Sequence, residues 1–325
     1  TTEIYTLSLH DALPILIREE HHWSTLRYNL TMSLFLVALI AGLSGMLGWG
    51  VSDFSAKKAI DKIGELKTLI GSQIIGGLFL LAYFLLTNPT PPRVTGTLLF
   101  YVSALALLDG AGYLFLYRAF KKGVMSIVSP IAASSAGFSV IVAVFLFKES
   151  LSLFGLIGVI LIFLGILITS TDLKDLKRNF SRANLTNGVP EALATMVLIG
   201  FWFPLWDKFV GNQDWLFWLI MLKLIMGTML CVYFYLTNKG NNLLSGYKSV
   251  TLVLLLIALF DTLAYLGTTW GYSVTSNTTS LITVIANAYS LPIIVLAYFL
   301  LNERIKKQQA LGIVSIIAGI IISSL

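Results

Sequence analysis

Three ionisable side chains lie in the middle of long apolar stretches of the sequence: Asp109, Lys223 and Asp261. Placing a charged side chain at the centre of a membrane helix costs about 2.5–3.5 kcal/mol on insertion scales. Each of the three therefore needs a partner or a function. A carboxylate in such a place can bind a cationic group or carry a proton, because burial disfavours its charged form.

The two aspartates occur in the same sequence context. Asp109 is followed four residues later by Tyr113, and Asp261 is followed four residues later by Tyr265, so in a helix each pair shares one face. Two such polar faces are expected to oppose each other across a central cavity. The alternative is that each carboxylate is a structural hydrogen-bond partner for a neighbouring helix.

Lys223 and Asn287 are the other polar candidates inside apolar stretches. Lys223 can neutralise one of the aspartates or bind an anionic group of a ligand, and a cavity with both charges would suit zwitterions. Its alternative is a structural one, in which the stem follows the helix and the ammonium reaches the lipid headgroups. The amide of Asn287 needs a hydrogen-bond partner, which a ligand can supply.

Aromatic residues cluster at two places, one containing Trp49 and the other containing Trp202. Tryptophans often mark the membrane–water interface. They can also form the wall of a binding cavity or close a gate, and the sequence leaves both interpretations open.

Other charged residues lie near the ends of apolar stretches, where long or terminal side chains can reach water. The residues expected to do so are Asp53, Arg118, Asp207 and Lys208. Glu149 and Glu303 follow two further stretches and are expected to be interfacial caps.

The composition explains what must position these residues. Apolar residues make up 57% of the 325 residues, only 12% are charged, and the mean hydropathy is +0.85. An ordinary globular protein has about 25% charged residues. The sequence therefore predicts a polytopic membrane protein and excludes a cytosolic enzyme, a nucleic-acid binder and a disulfide-rich secreted domain. A single cysteine, Cys231, permits no disulfide within the chain.

Ten apolar segments of about 20 residues have the length that a membrane helix needs. None shows the alternating pattern of a barrel strand, so an all-α fold is predicted. The predicted spans are 33–54, 68–87, 97–118, 124–147, 151–170, 189–208, 215–236, 249–272, 276–300 and 309–325. Residues 1–31 are expected to be an artefactual or disordered leader, and residues 171–188 form a charged connector.

The two halves on either side of the connector, 32–170 and 189–325, resemble each other. LALLDGAGYL at 105–114 matches IALFDTLAYL at 257–266. Further matched pairs are Glu149 with Glu303, Gly158 with Gly312, and Gly165 with Gly319. Five spans per half is an odd number, so the second half would insert upside down and form an inverted repeat. The paired glycines, seven residues apart, predict tight helix packing.

This arrangement resembles the drug/metabolite transporter superfamily, in particular its EamA-type members. Each half begins with a helix rich in glycine and tryptophan, LGWGVSDF and IGFWFPLW, and ends with a helix dotted with glycine. The resemblance covers residues 32–325. It implies ten helices, alternating access, and transport of small metabolites or toxic compounds by proton coupling or exchange.

The leading hypothesis is a secondary active transporter, an exporter of small metabolites such as amino acids or related amphipathic compounds. Its partners are then the small-molecule substrate, protons or a counter-substrate, and the lipid of a prokaryotic plasma membrane, with the chain working as a monomer or homodimer. No catalytic group, metal site or cofactor is predicted. The alternatives are a translocator of nucleotide-linked or lipid-linked sugars, with Lys223 contacting the anion, and a membrane scaffold without transport.

The orientation in the membrane has two conflicting indications. Most lysines and arginines lie in the loops that follow odd-numbered spans, and the positive-inside rule places such loops in the cytoplasm. The family resemblance implies cytoplasmic termini, which puts these loops outside. The sequence leaves the orientation open.

Overall fold

The protein is all-helical in every part of the chain that the structure, a computed structural model, describes. The described residues are 9–87, 90–123, 128, 131–171, 177, 187–211, 213–237, 242–275, 278–301 and 306–324. The α-helices are α1 (Leu9–Ile63), α2 (Glu65–Thr87), α3 (Gly96–Lys122), α4 (Ser135–Phe145), α5 (Leu153–Ser170), α6 (Val189–Val210), α7 (Trp215–Thr237), α8 (Thr251–Val274), α9 (Thr279–Ala286), α10 (Ser290–Leu301) and α11 (Lys307–Ile322).

Within the described residues, eight helical segments are long and apolar enough to cross a membrane. Two shorter apolar helices, Ile131–Phe145 and Lys307–Ile322, occupy the places of the predicted spans 4 and 10. The prediction of an all-α polytopic membrane fold is confirmed. Most of the predicted connector, 171–188, and Glu303 lie outside the described residues.

The first span is longer than predicted. α1 begins at Leu9, within the predicted leader, and does not end at residue 54 but continues to Ile63. Ala56 and Ala59 in the added turns are buried against apolar residues of α8, which explains why the helix continues. Gly64 then ends it with a φ of 85°, a left-handed conformation that glycine adopts without strain, so that α2 can turn back at once.

The helices of the two halves pack in exchanged pairs. α1 packs against α8, and its counterpart α6 packs against α3; α2 packs against α7, and α5 against α11. This pattern is expected when a pseudo-two-fold axis relates the halves, and it agrees with an inverted repeat. We call the membrane side on which α1 ends side I, and the opposite side, on which α2 ends, side II.

The paired glycines form the contact between α5 and α11. A Cβ atom at Gly158 would lie 2.6 Å from the carbonyl oxygen of Gly319, and one at Gly165 would lie 2.7 Å from that of Gly312. The backbones of the two helices therefore touch, and the predicted tight packing is confirmed. Van der Waals contact of this kind is the main source of helix association in lipid.

The ninth span is not one continuous helix. α9 and α10 are separated by a 3₁₀ turn at Asn287–Tyr289, where Ala288 has a non-helical ψ of 21°. Pro292 has no amide hydrogen to donate to Ala288, and its ring disturbs the preceding turn. Gly50 of α1 packs against Pro292 and the carbonyl of Tyr289. The break therefore faces α1 and exposes backbone at membrane depth to protein rather than lipid.

Replacing Gly165 by Ala is expected to separate α5 from α11, because backbone cannot yield to the added methyl group. The free energy of unfolding in detergent should fall by about 1–3 kcal/mol, as for other overpacked sites. Gly96→Ala is the matched control, since a Cβ atom there meets nothing within 4 Å. Equal stability of the two variants would contradict the close contact between α5 and α11 at the paired glycines.

Candidate functional site

A small cavity lies between the two halves. Its volume is about 30 Å³, which leaves room for about two water molecules. The lining residues are Trp49, Asp53, Tyr113, Leu116, Ala132, Ser135, Thr195, Ile199, Phe203, Asn287 and Tyr289. These residues belong to the predicted spans 1, 3, 4, 6 and 9. Span 8, whose Asp261 and Tyr265 were expected to face a central cavity, contributes none of the lining residues. In this conformation the cavity is too small for a metabolite, so the helices must separate to admit one.

The cavity lies toward side I. The lining residues of α1 and α3, such as Asp53 and Tyr113, come from the later parts of these helices. Those of α6, such as Thr195 and Ile199, come from its first half. Because α1 and α3 end on side I and α6 begins there, these residues share that half of the membrane.

Asp53 is the carboxylate of this cavity. It was expected to reach the membrane interface, and this prediction is wrong, because α1 continues to Ile63 and leaves Asp53 within the helix. No hydrogen bond or ion pair joins Asp53 to another described residue. Trp49, one helical turn earlier, lines the same cavity. Within the described part of the chain, the cavity therefore contains a carboxyl group without a partner.

Aromatic rings close the side II end of the cavity. The Trp49 ring lies 5.6 Å from that of Phe203 and 5.5 Å from that of Tyr265, both edge-on, and Trp202 stacks on Trp206 at 5.8 Å. Trp49 is 4% exposed and Trp202 is 1% exposed. This burial excludes the interfacial belt for both. Neither indole N–H has an acceptor among the described residues.

Lys223 is fully buried and forms an ion pair with Asp261 at 2.8 Å. It also donates to the side-chain oxygen of Gln73 at 3.0 Å, and the Gln73 amide donates to Asp261 at 3.1 Å. Its ammonium does not reach the headgroups, so that alternative is wrong. The three side chains, from α2, α7 and α8, satisfy one another, and Lys223 has its charge neutralised.

Tyr265 joins this ion pair to Asp109. Its ring lies under the Lys223 ammonium, 4.2 Å from Nζ to the ring centroid, a distance at which cation–π attraction is strong. Its hydroxyl donates to Asp109 at 2.6 Å. The two predicted polar faces of α3 and α8 thus meet directly and do not oppose each other across a cavity.

The predicted site residues accordingly fall into two groups. Those that line the cavity are Trp49, Tyr113 and Asn287. Those that form a closed layer beside it are Asp109, Trp202, Lys223, Asp261 and Tyr265. The edge contact between Trp49 and Tyr265 connects the groups.

Several lining residues had not been selected from the sequence. Asp53 carried a usable signal, since it is four residues after Trp49 and therefore on the same helical face. The assumption that the first span ends at residue 54 hid it. Thr195 and Tyr289 carried no such signal, because isolated hydroxyl groups are common in membrane helices.

Two buried carboxylates hold the side II end of α9. Glu149 accepts hydrogen bonds from the backbone N–H of Ser280 at 3.0 and 3.1 Å and from its hydroxyl at 2.8 Å. Asp207 accepts one from the Thr279 hydroxyl at 2.5 Å. Glu149 therefore caps α9, but it is buried and not interfacial as predicted, and Asp207 is buried in the same way. Burial raises the pKa of Glu149, and the Ser280 hydrogen bonds oppose this.

The chemistry available here consists of carboxylates, hydroxyls, one amide and aromatic rings. Among the described residues, no three His, Cys, Asp or Glu side chains are grouped so that they could hold a metal ion. Such groups suit the reversible binding of a small molecule and the movement of protons.

Comparisons with known proteins agree with this architecture. Residues 36–171 and residues 186–325 each match the family model described as EamA-like transporter family. An uncharacterized protein of Methanocaldococcus jannaschii is 32% identical over 133 residues, which are 41% of this chain and 96% of that protein. A protein of known crystal structure superimposes with a TM-score of 0.73 at 14% identity, covering 88% of this chain and 95% of the other, and this likeness shows the fold alone.

Asp261→Asn alone is expected to lower the free energy of unfolding by about 3–5 kcal/mol, because it leaves the Lys223 charge buried without a counter-charge. Adding Lys223→Met should restore most of the loss, and unfolding in detergent measures both. The control is the exposed pair of Lys121 and Glu65, where Glu65→Gln should cost less than about 1 kcal/mol. A double variant as unstable as Asp261→Asn would show that the ion pair does not hold this layer.

Proposed function

Because the chain belongs to the EamA-like transporter family, we propose that it is a secondary active transporter. It exports small metabolites, such as amino acids or related amphipathic compounds, across a prokaryotic plasma membrane. The observation that carries the proposal is a cavity between the two halves that contains a carboxylate, Asp53, for which the described residues offer no partner. A charge left unpaired inside a membrane protein is costly unless a ligand or an ion uses it.

The proposed mechanism is alternating access by rocking of the halves. The present conformation is held together at side II, where Glu149 of the first half binds Ser280 of the second. The lining residues lie nearer side I. Opening toward side II therefore requires these hydrogen bonds to break, and a compensating closure at side I is expected from the repeated architecture.

Asp109 is better suited than Asp261 to carry a coupling proton. Asp261 is neutralised by Lys223, so protonating it would leave the ammonium unpaired. Among the described residues, Asp109 has only the neutral Tyr265 hydroxyl as hydrogen-bond donor, so it can gain or lose a proton without breaking an ion pair. Tyr265 contacts Trp49 of the cavity wall, which links the protonation of Asp109 to the position of the cavity aromatics.

A membrane scaffold without transport is the second candidate. The close packing around Asp109 and Asp261 favours it, because both carboxylates are buried and partnered. The lack of a described partner for Asp53 favours transport, since a static scaffold has no use for such a carboxylate. The sugar translocator has no such support, because the cation that it needed, Lys223, is already bound by Asp261.

The test is pH-gradient-driven uptake into proteoliposomes. A thermal-shift screen of amino acids and small amines on the purified protein identifies a ligand, since binding to the native state raises its stability. The radiolabelled ligand is then used for transport. Asp109→Asn should reduce gradient-driven uptake to the level of empty liposomes while counterflow exchange continues, because ligand binding needs no proton at Asp109.

Asp214→Asn is the control for this experiment. Asp214 accepts a hydrogen bond from the Phe217 N–H in an exposed loop, and Asn can do the same. Undiminished uptake by Asp109→Asn would remove Asp109 from the coupling mechanism. Binding without any uptake or exchange by the unmodified protein would favour the scaffold.

A further inference from the structure

We propose that the Asp53 cavity selects an organic ammonium cation with an apolar or aromatic body and a neutral hydrogen-bond acceptor. The inference rests on the proposed function and narrows its substrate class. Of the compounds named there, it favours cations among the related amphipathic compounds over amino acid zwitterions and over anions. Four features of the cavity support it: its charge, its rings, an indole N–H without an acceptor and the amide of Asn287.

The charge of the cavity is negative. Asp53 is the ionisable carboxylate among the described lining residues, and none of them is lysine, arginine or histidine. The nearby ammonium of Lys223 is 0% exposed and is bound to Asp261 and Gln73. A ligand carboxylate would therefore enter without a counter-charge and next to Asp53, which is unfavourable. An ammonium group would form the missing ion pair.

The rings of the cavity suit the same ligand. Trp49, Tyr113, Phe203 and Tyr289 contribute aromatic side chains to its wall, and aromatic faces attract ammonium groups as well as apolar bodies. The edge contact between Trp49 and Phe203 fixes two of these rings in place. A rigid wall of this kind lowers the entropy that binding would otherwise cost.

Three buried indole N–H groups have no acceptor among the described residues, those of Trp49, Trp202 and Trp218, and of these three residues Trp49 lines the cavity. The Trp49 side chain is 96% buried. Leaving a buried donor without an acceptor is unfavourable. A carbonyl or hydroxyl oxygen on the ligand would satisfy it without adding a negative charge.

Asn287 is a second polar residue of the cavity and offers a hydrogen-bond acceptor. Its side-chain nitrogen donates to the Thr283 carbonyl at 2.8 Å, one turn earlier in α9. The amide oxygen is thereby left to accept a hydrogen bond, which an ammonium group can donate. Asp53 and Asn287 together provide two acceptors for one ammonium group.

The test uses three probes with one aromatic body. Phenylalaninamide is a cation with a carbonyl group, phenylalanine is a zwitterion, and 3-phenylpropionate is an anion. Calorimetry on the full-length protein in detergent should show phenylalaninamide binding at least tenfold more tightly than phenylalanine, and no binding of 3-phenylpropionate. Equal or tighter binding of the zwitterion or the anion would overturn the proposal.

Two variants assign the binding to its residues. Asp53→Asn should weaken the binding of phenylalaninamide at least tenfold. Asp61→Asn, the same change at an exposed position of α1, should leave this binding unchanged. Trp49→Phe keeps a ring but removes the N–H, so it should weaken phenylalaninamide more than phenethylamine, which lacks the carbonyl group. Unchanged affinity in Asp53→Asn would overturn the site.

Separate control experiments distinguish a loss of binding from a loss of folding or of transport. Asp53→Asn should melt no lower than the unmodified protein, because no described partner depends on the charge. Asp53→Glu keeps the charge and should retain preference for the cation, and loss of this preference would overturn the role of charge. If phenylalaninamide binds but is not taken up, the proposed site stands and transport is rejected. If phenylalanine is taken up and phenylalaninamide is not, transport stands and the proposed site is rejected.

Discussion

A buried ammonium group imposes the main constraint on this protein. Lys223 lies where neither water nor headgroups reach it, so Asp261 and Gln73 must be within hydrogen-bond distance of it. The requirement ties α2, α7 and α8 together at one depth. Tyr265 extends it to α3 through Asp109. The packing of four helices thus follows from the need to pair one charge in a medium that does not solvate it.

The need to pair buried polar groups also makes the cavity informative. In the closed layer each carboxylate has a donor, so the layer holds the helices together. Asp53 lies beside this layer and has no described partner, and Trp49 next to it has an unsatisfied N–H. Trp202 in the layer also has an indole N–H without a described acceptor. The contrast that separates structure from candidate function is therefore between the partnered carboxylates of the layer and Asp53.

The two halves share an architecture but differ in chemistry. Their helices pack in exchanged pairs, and matched glycines bring α5 and α11 into backbone contact. Lys223 has no equivalent in the first half, where Gln73 accepts its hydrogen bond instead. Repetition supplies the shared scaffold. The polar residues that differ between the halves provide one ion pair, Lys223 with Asp261, and one carboxylate without a described partner, Asp53.

The sequence by itself determined the membrane class, the ten apolar segments, the repeat and the tight packing at the paired glycines. These follow from hydropathy summed over about 20 residues and from spacing along one helix, which are local properties. Most of the eventual polar residues were also identified, because charge inside an apolar stretch is conspicuous. Only the tertiary structure decided which of them are partners. Asp261 and Lys223 could each have faced a cavity, and Asp53 owes its depth to nine further residues of α1 that pack on α8. Partners on other helices are not encoded in spacing, so pairing was settled by packing.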